Sequence, residues 1–289
     1  MQKNIAKTIR LGSRLIDLSE PKVMTIINLT PDSFFSGSRS QTDFEILSSV
    51  EQAISDGATI LDIGGCSTRP DSPTASLEEE WQRVEHGLSL IRERYPEIPI
   101  SIDTFRSEVA LRAVKDFGVD IINDVSGGQL DEKMFQTIAL LNVPYILMHM
   151  RGEPATMQTL THYDDIISDL MKYFAKKIET LRAIGFTSDI ILDLGFGFAK
   201  TTEQNYHLLG NQHLFETFGL PILTGISRKA FLYKTLQKTP AEALNATTVA
   251  NTLALLGGAN ILRVHDTRQA MEAIKIVEQY RKNKIEVAK

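Results

Sequence analysis

The sequence predicts a single (β/α)8 TIM barrel with an N-terminal β-hairpin, one α/β domain over residues 1–289. Three observations carry this prediction. Eight short runs rich in β-branched residues alternate with helical stretches. No low-complexity linker divides them. Nearly every run ends in a polar or charged side chain, at the rim where barrels of this class keep their active sites. A length of 289 residues suits one barrel of about 250 residues with additions.

Residues 1–20 precede the rhythm as a hairpin extension. Segments 8–11 and 14–18 flank Gly12 and Ser13, a turn pair, and are expected to cover the bottom of the barrel. The eight runs are 23–29, 59–63, 100–103, 120–123, 145–148, 189–192, 221–224 and 261–264. They are apolar without clean alternation, as expected of strands covered by helices in a closed sheet. Helical period marks 44–56, with Phe44, Leu47, Val50 and Ile54 on one stripe. It also marks 77–94, 106–117, 131–141, 163–184 and 241–256. Gly57, Gly118, Gly185 and Gly257 follow four of these segments, where a left-handed cap ends a helix. An open doubly wound sheet fits the rhythm too, but eight alternations favour closure.

Composition narrows the function classes. Net charge is −5 with both signs interspersed, which argues against a nucleic-acid surface or a polybasic membrane patch. No apolar run approaches the roughly 20 residues of a membrane span. Cys66 is the only cysteine, so neither an internal disulfide nor a cysteine zinc cluster can form, and a reducing cytoplasm is the expected location. Metal spacings such as HExxH and CxxC are absent, as are the glycine-rich fingerprints of dinucleotide and P-loop sites.

The strand ends are the informative part. In order they carry Asn28; Asp62; Asp103; Asn123 and Asp124; His149; Asp193; Gly225 with Ser227, Arg228 and Lys229; and Arg263, His265 and Asp266. Taken singly, Asp103 or Asp124 reads as the N-cap of the next helix. His149 alone reads as a hydrogen-bonded structural histidine, and Arg263 or Lys229 alone as a solvated charge. In phase with eight strands they converge on one rim. Carboxylates and an amide suit a heterocycle with several N–H donors. Arg69, Arg263 and His265 offer charge-assisted donors to phosphate oxygens.

These motifs resemble the dihydropteroate synthase family of pterin-binding barrels. The resemblance rests on the stretches 28–34, 62–65, 67–70, 103–104, 123–125, 193–200, 225–229 and 263–266. It runs in family order through almost the whole chain. It implies that 6-hydroxymethyl-7,8-dihydropterin diphosphate is condensed with 4-aminobenzoate in folate synthesis. Asp103, Asn123, Asp193, Lys229, Gly225 and Phe198 then form the pterin pocket. Asn28, Arg69, Arg263 and His265 hold the diphosphate, with Mg2+ beside Asn28, and together with Lys229 these are the catalytic set. Thr68, Pro70 and Phe34 form the wall for 4-aminobenzoate, which sulfonamides imitate. The diphosphate donors are expected to cluster apart from the pterin acceptors.

A homodimer is implied as well. The stripe Val249, Leu253 and Leu256 permits it, and core packing accounts for that stripe equally well. Cys66, Asp71, Leu194 and Phe35 depart from the family pattern without removing a chemically active residue. A non-catalytic pterin-binding paralogue and a pterin-dependent methyltransferase are the competing readings.

Overall fold

Eight parallel strands close into a barrel in the computed structural model, which describes residues 8–30, 39–67, 75–153 and 156–284. The antiparallel hairpin is β1 (Thr8–Leu11) and β2 (Arg14–Asp17). The barrel strands are β3 (Lys22–Asn28), β4 (Ile60–Gly64), β5 (Ile100–Asp103), β6 (Ile121–Asp124), β7 (Tyr145–Met148), β8 (Ile190–Asp193), β9 (Ile222–Thr224) and β10 (Ile261–Val264). Each neighbours the next in sequence, and β10 pairs with both β9 and β3 to complete the ring. The helices are α1 (Arg39–Ser55), α2 (Leu77–Arg94), α3 (Ser107–Phe117), α4 (Met134–Leu141), α5 (Ile166–Ala183), α6 (Thr202–Gly210), α7 (Ala230–Thr235), α8 (Leu244–Leu256) and α9 (Thr267–Asn283).

Two apolar layers follow from the period-2 alternation of the strands. One set of strand residues, including Val23, Leu61, Ile102, Leu147 and Leu262, packs under the helices. The other set, Met24, Ile60, Ile121, Ile146, Ile191, Leu223 and Ile261, fills the lower barrel interior with Ile9, Leu11 and Leu18 of the hairpin segment. The hairpin therefore plugs the N-terminal mouth, as expected. It is pinned there by the Arg10 backbone N–H, which donates to the Asp189 carboxylate at 2.7 Å. With the bottom filled by aliphatic side chains, the polar layer above them is left for chemistry.

The helices differ from expectation in three ways. On α1 the buried stripe is Ile46, Val50 and Ala53, while Phe44 is 72% exposed. Residues two apart on a helix do not share a face, so a stripe through 46 and 50 turns 44 outward. After α8 it is Gly258, not Gly257, that takes positive φ. Helices α6, α7 and α9 fill alternations that were expected but lie outside the helical segments given above by residue number. The buried side of α9 is Thr267, Ala270, Ala273, Ile274 and Val277, a stripe at helical spacing.

Candidate active site

One half-buried cation ties the upper barrel together. Arg263, on β10, donates from Nε to Asp62 Oδ2 at 2.6 Å and from Nη2 to Asp103 Oδ2 at 2.5 Å. Asn123 donates from Nδ2 to the same Asp62 oxygen at 3.1 Å. These four residues come from β4, β5, β6 and β10, all on the inward phase of their strands. Asp62 Oδ1 and Asn123 Oδ1 are buried and have no hydrogen-bond partner among the described residues. A buried acceptor left so costs about 1–3 kcal/mol. Two of them side by side mark a surface built to receive N–H donors. Burial pushes the Asp103 carboxyl up to about 7, against the pull of Arg263.

The opposite wall comes from the loop after β8. Asp193 Oδ1 accepts the Gly195 N–H at 2.8 Å. Gly195 has φ +66°, and a Cβ there would stand 1.9 Å from the His149 carbonyl oxygen, so only glycine closes this turn. Burial pushes the Asp193 pKa up, and the charge of Lys229 opposes it. Burial likewise pushes Lys229 down to about 8, opposed by Asp193. The Lys229 ammonium donates to the Phe196 carbonyl and lies 4.6 Å from the centroid of the Phe198 ring. A Cβ on Gly225 would lie 3.8 Å from both Asp193 Oδ2 and Arg263. Gly225 thus keeps the space between the two walls open. A planar ring entering there meets acceptors on one edge and an aromatic face with a cation beside it.

Asn28 and His265 stand at the mouth. Together they line a cleft of about 570 Å³ that continues between α1 and α9. His265 Nδ1 lies 3.0 Å from Ser227 Oγ, which fixes the ring. Asn28 Oδ1 would be 3.7 Å from a Cβ on Gly64, itself 3.7 Å from Asp103, so the mouth and the ring site share a border.

The structure thus brings together Asp103, Asn123, Asp193, Lys229, Gly225, Phe198 and Arg263, with Asn28 and His265 beside them. It corrects the expectation that phosphate donors and ring acceptors form separate clusters. Arg263, on β10, sits one inward position before His265, which follows the strand, and its long side chain turns to two carboxylates instead of out to the rim. Phe34, Phe35, Thr68, Arg69, Pro70 and Asp71 lie outside the described residues.

Residues 24–265 match the family described as pterin binding enzyme. A dihydropteroate synthase of Escherichia coli K12 is 39% identical over 265 residues, covering 91% of this chain and 93% of the relative. The chain belongs to the dihydropteroate synthase family. Solved members superpose closely. The Yersinia pestis enzyme, in a sulfonamide drug complex, gives a TM-score of 0.88 at 35% identity, covering 96% of this chain and all of the other. The Xanthomonas albilineans enzyme, with 4-aminobenzoic acid, gives 0.87 at 32% identity, covering 96% of this chain and 98% of the other.

Asp62 is the site residue that sequence reasoning passed over as merely a strand end. Its signal was present: a carboxylate in phase with Asp103, one strand away. Asp124, by contrast, is structural. Its carboxylate is saturated by the Ser126 N–H, the Ser126 hydroxyl, the Gly128 N–H and the Tyr145 hydroxyl, all within 2.8 Å. Leu194 leaves the pocket undisturbed, because it is fully buried and the Asp193 to Gly195 contact survives. Burial, and then the Glu80 charge, pushes the Cys66 thiol up, away from the reactive thiolate. Cys66→Ser is therefore expected to keep most activity. A loss beyond about a hundredfold in a folded variant would indicate covalent chemistry at that thiol.

Proposed function

We propose that this chain condenses 6-hydroxymethyl-7,8-dihydropterin diphosphate with 4-aminobenzoate, giving 7,8-dihydropteroate and diphosphate. The observation that carries the site assignment is the pair of unpartnered buried acceptors, Asp62 Oδ1 and Asn123 Oδ1, set beside Asp103 and facing Asp193. A pterin presents a 2-amino group and ring N–H groups along one edge, and these acceptors complement them. Lys229 serves the ring oxygen, and Phe198 stacks on the ring face.

The reaction breaks the bond between the pterin methylene and the diphosphate oxygen and forms one to the arylamine nitrogen, which then loses a proton. The electron-rich dihydropterin stabilises a cationic methylene, so departure can run ahead of attack. The protein's tasks are to hold negative charge on the leaving group and to keep water from the cation. Arg263, His265 and Arg69 suit the first task. A neutral aromatic amine is already nucleophilic, so no strong base or covalent enzyme intermediate is required.

Asn28 would hold Mg2+ through its amide oxygen. The described residues contain no group of three His, Cys, Asp or Glu side chains able to hold a metal. A lone amide oxygen suits an ion otherwise bound by waters and the substrate's phosphates. Bound there, Mg2+ would neutralise part of the diphosphate charge.

Homodimer formation is supported by the outer face of α8. Val249, Leu253 and Leu256 are 54%, 49% and 47% exposed, so core packing does not account for them. No helix among the described residues is long and apolar enough to cross a membrane. A single cysteine agrees with a cytoplasmic location. The sulfonamide complex of the Yersinia pestis relative supports sulfonamide binding here too.

Turnover with both substrates is the test. The expected result is one diphosphate released per dihydropteroate formed. Pterin binding without diphosphate release would select the non-catalytic reading, and methyl transfer from a methylated pterin the methyltransferase reading.

A further inference from the structure

A buried lysine that takes no part in this reaction ends the loop between β8 and α6. Lys200 is 4% exposed. Its Nζ lies 2.8 Å from the Gly195 carbonyl oxygen, 3.0 Å from the Phe198 carbonyl oxygen and 3.1 Å from His149 Nδ1. None of these partners is a carboxylate. Burial, then the Lys229 charge, pushes the Lys200 pKa well down from the usual lysine range. Burial, then the Lys200 charge, pushes His149 well down too, so its imidazole is neutral. Two proton arrangements satisfy the cluster. An ammonium donates to all three partners, or an amine donates to both carbonyls and accepts from His149 Nδ1–H. Both keep an N–H on Gly195 and on Phe198.

The loop so held is the one that shapes the ring site. Gly195, Gly197 and Ala199 have φ of +66°, +80° and +49°. An alanine in the left-handed region is strained and persists only where its surroundings hold it. Here every carbonyl from 195 to 199 is held. Phe196 accepts from Lys229, Gly197 from Gln158 at 3.3 Å and Ala199 from the Tyr163 hydroxyl at 3.0 Å. Lys200 holds the remaining two, Gly195 jointly with the Phe198 N–H at 3.1 Å, and these are the ones that bracket the turn.

We propose that Lys200 is the positioning residue of the pterin site, bracing the Gly195 to Phe198 turn by capping both carbonyls beside the turn's own backbone hydrogen bond. It thereby sets where the Gly195 N–H meets Asp193 and where the Phe198 ring stands against Lys229. His149 is its backstop, fixing Nζ from the β7 side. The assignment rests on the ring-site reading above and adds to it a residue that touches no substrate.

The test is Lys200→Met, which keeps an unbranched chain and removes the donors. Affinity for a plain hydroxymethylpterin is expected to weaken by about tenfold or more. The KM for the pterin diphosphate rises with it, while the KM for 4-aminobenzoate stays within about threefold. In a double-mutant cycle with Phe198→Ala the pterin losses are expected not to add, because one change already frees the other residue. A folded Lys200→Met with wild-type pterin affinity overturns the proposal. So does an equal rise in both KM values, or an additive cycle, since either describes a merely structural lysine. If Lys200→Met does not fold, His149→Leu takes its place. It is expected to weaken pterin binding by about threefold or more, and unchanged binding overturns the proposal. A wild type that binds pterin but releases no diphosphate rejects the reaction above and leaves this test intact.

Discussion

Arg263→Ala is expected to lower turnover by a factor of about 10²–10³ and the melting temperature by on the order of 10 °C. The two losses have different origins. Removing the guanidinium leaves Asp62 and Asp103 facing each other in the barrel interior, with Asp62 fully buried. Breaking a buried pair by deleting one partner costs about 3–5 kcal/mol, because the charge left behind is uncompensated. The catalytic loss comes from the N–H groups that Arg263 does not spend on these carboxylates. A guanidinium has five donors, and the two ion pairs engage Nε and Nη2. The remaining N–H groups are the ones proposed to meet the departing diphosphate as negative charge builds on it. Plain pterin binding is expected to weaken as well, because Asn123 and Asp103 share the same Asp62–Arg263 network. Adding Asp62→Asn to Arg263→Ala relieves the buried charge, so melting temperature is expected to recover in part while turnover does not. Steady-state kinetics and thermal unfolding on both variants check this. A variant that melts early but turns over near wild type makes Arg263 an anchor for the carboxylates and nothing more.

The barrel was legible because its signals are local. Short β-branched runs, turn residues and helical periods are read within a dozen residues, and the observed strands fall within one residue of those expected. Most of the rim was legible for a related reason: a polar side chain at the end of a buried strand contradicts the apolar run before it. What escaped was long-range or ran against type. The partner of Arg263 on β4 is 201 residues away in sequence. No period or spacing connects them, and an arginine at a strand end looks like a free phosphate donor until its carboxylates are seen. Lys200 escaped because burying a lysine is costly, and only the two carbonyls and His149 Nδ1 show how that cost is offset. Helix α9 was legible as well: Ala270, Ala273, Ile274 and Val277 recur at helical spacing between charged residues. Its small buried residues let it pack closely against α8 and β3.

Asp193→Asn is expected to weaken pterin affinity by at least about tenfold while leaving the fold intact. Size is conserved, so the argument turns on which atom faces the ligand. Asp193 Oδ1 accepts the Gly195 N–H at 2.8 Å in a turn that only glycine can make. An asparagine must keep its oxygen there, or two N–H donors would meet in a buried place. The amide nitrogen is then forced to the other position, the Oδ2 side that borders Gly225 and the ring site. There it offers a donor to the donors of the pterin edge, and rotation of the amide cannot relieve the mismatch. Lys229 at the same time loses the anion that most favours its charge. A mispaired buried donor costs about 1–3 kcal/mol, and more against a charged partner. Each 1.4 kcal/mol is about tenfold in affinity. Calorimetry with a plain hydroxymethylpterin measures this without involving the leaving group. Wild-type affinity in Asp193→Asn would take Asp193 out of the ring site, and the wall opposite Asp62 and Asn123 would have to be found elsewhere on the rim.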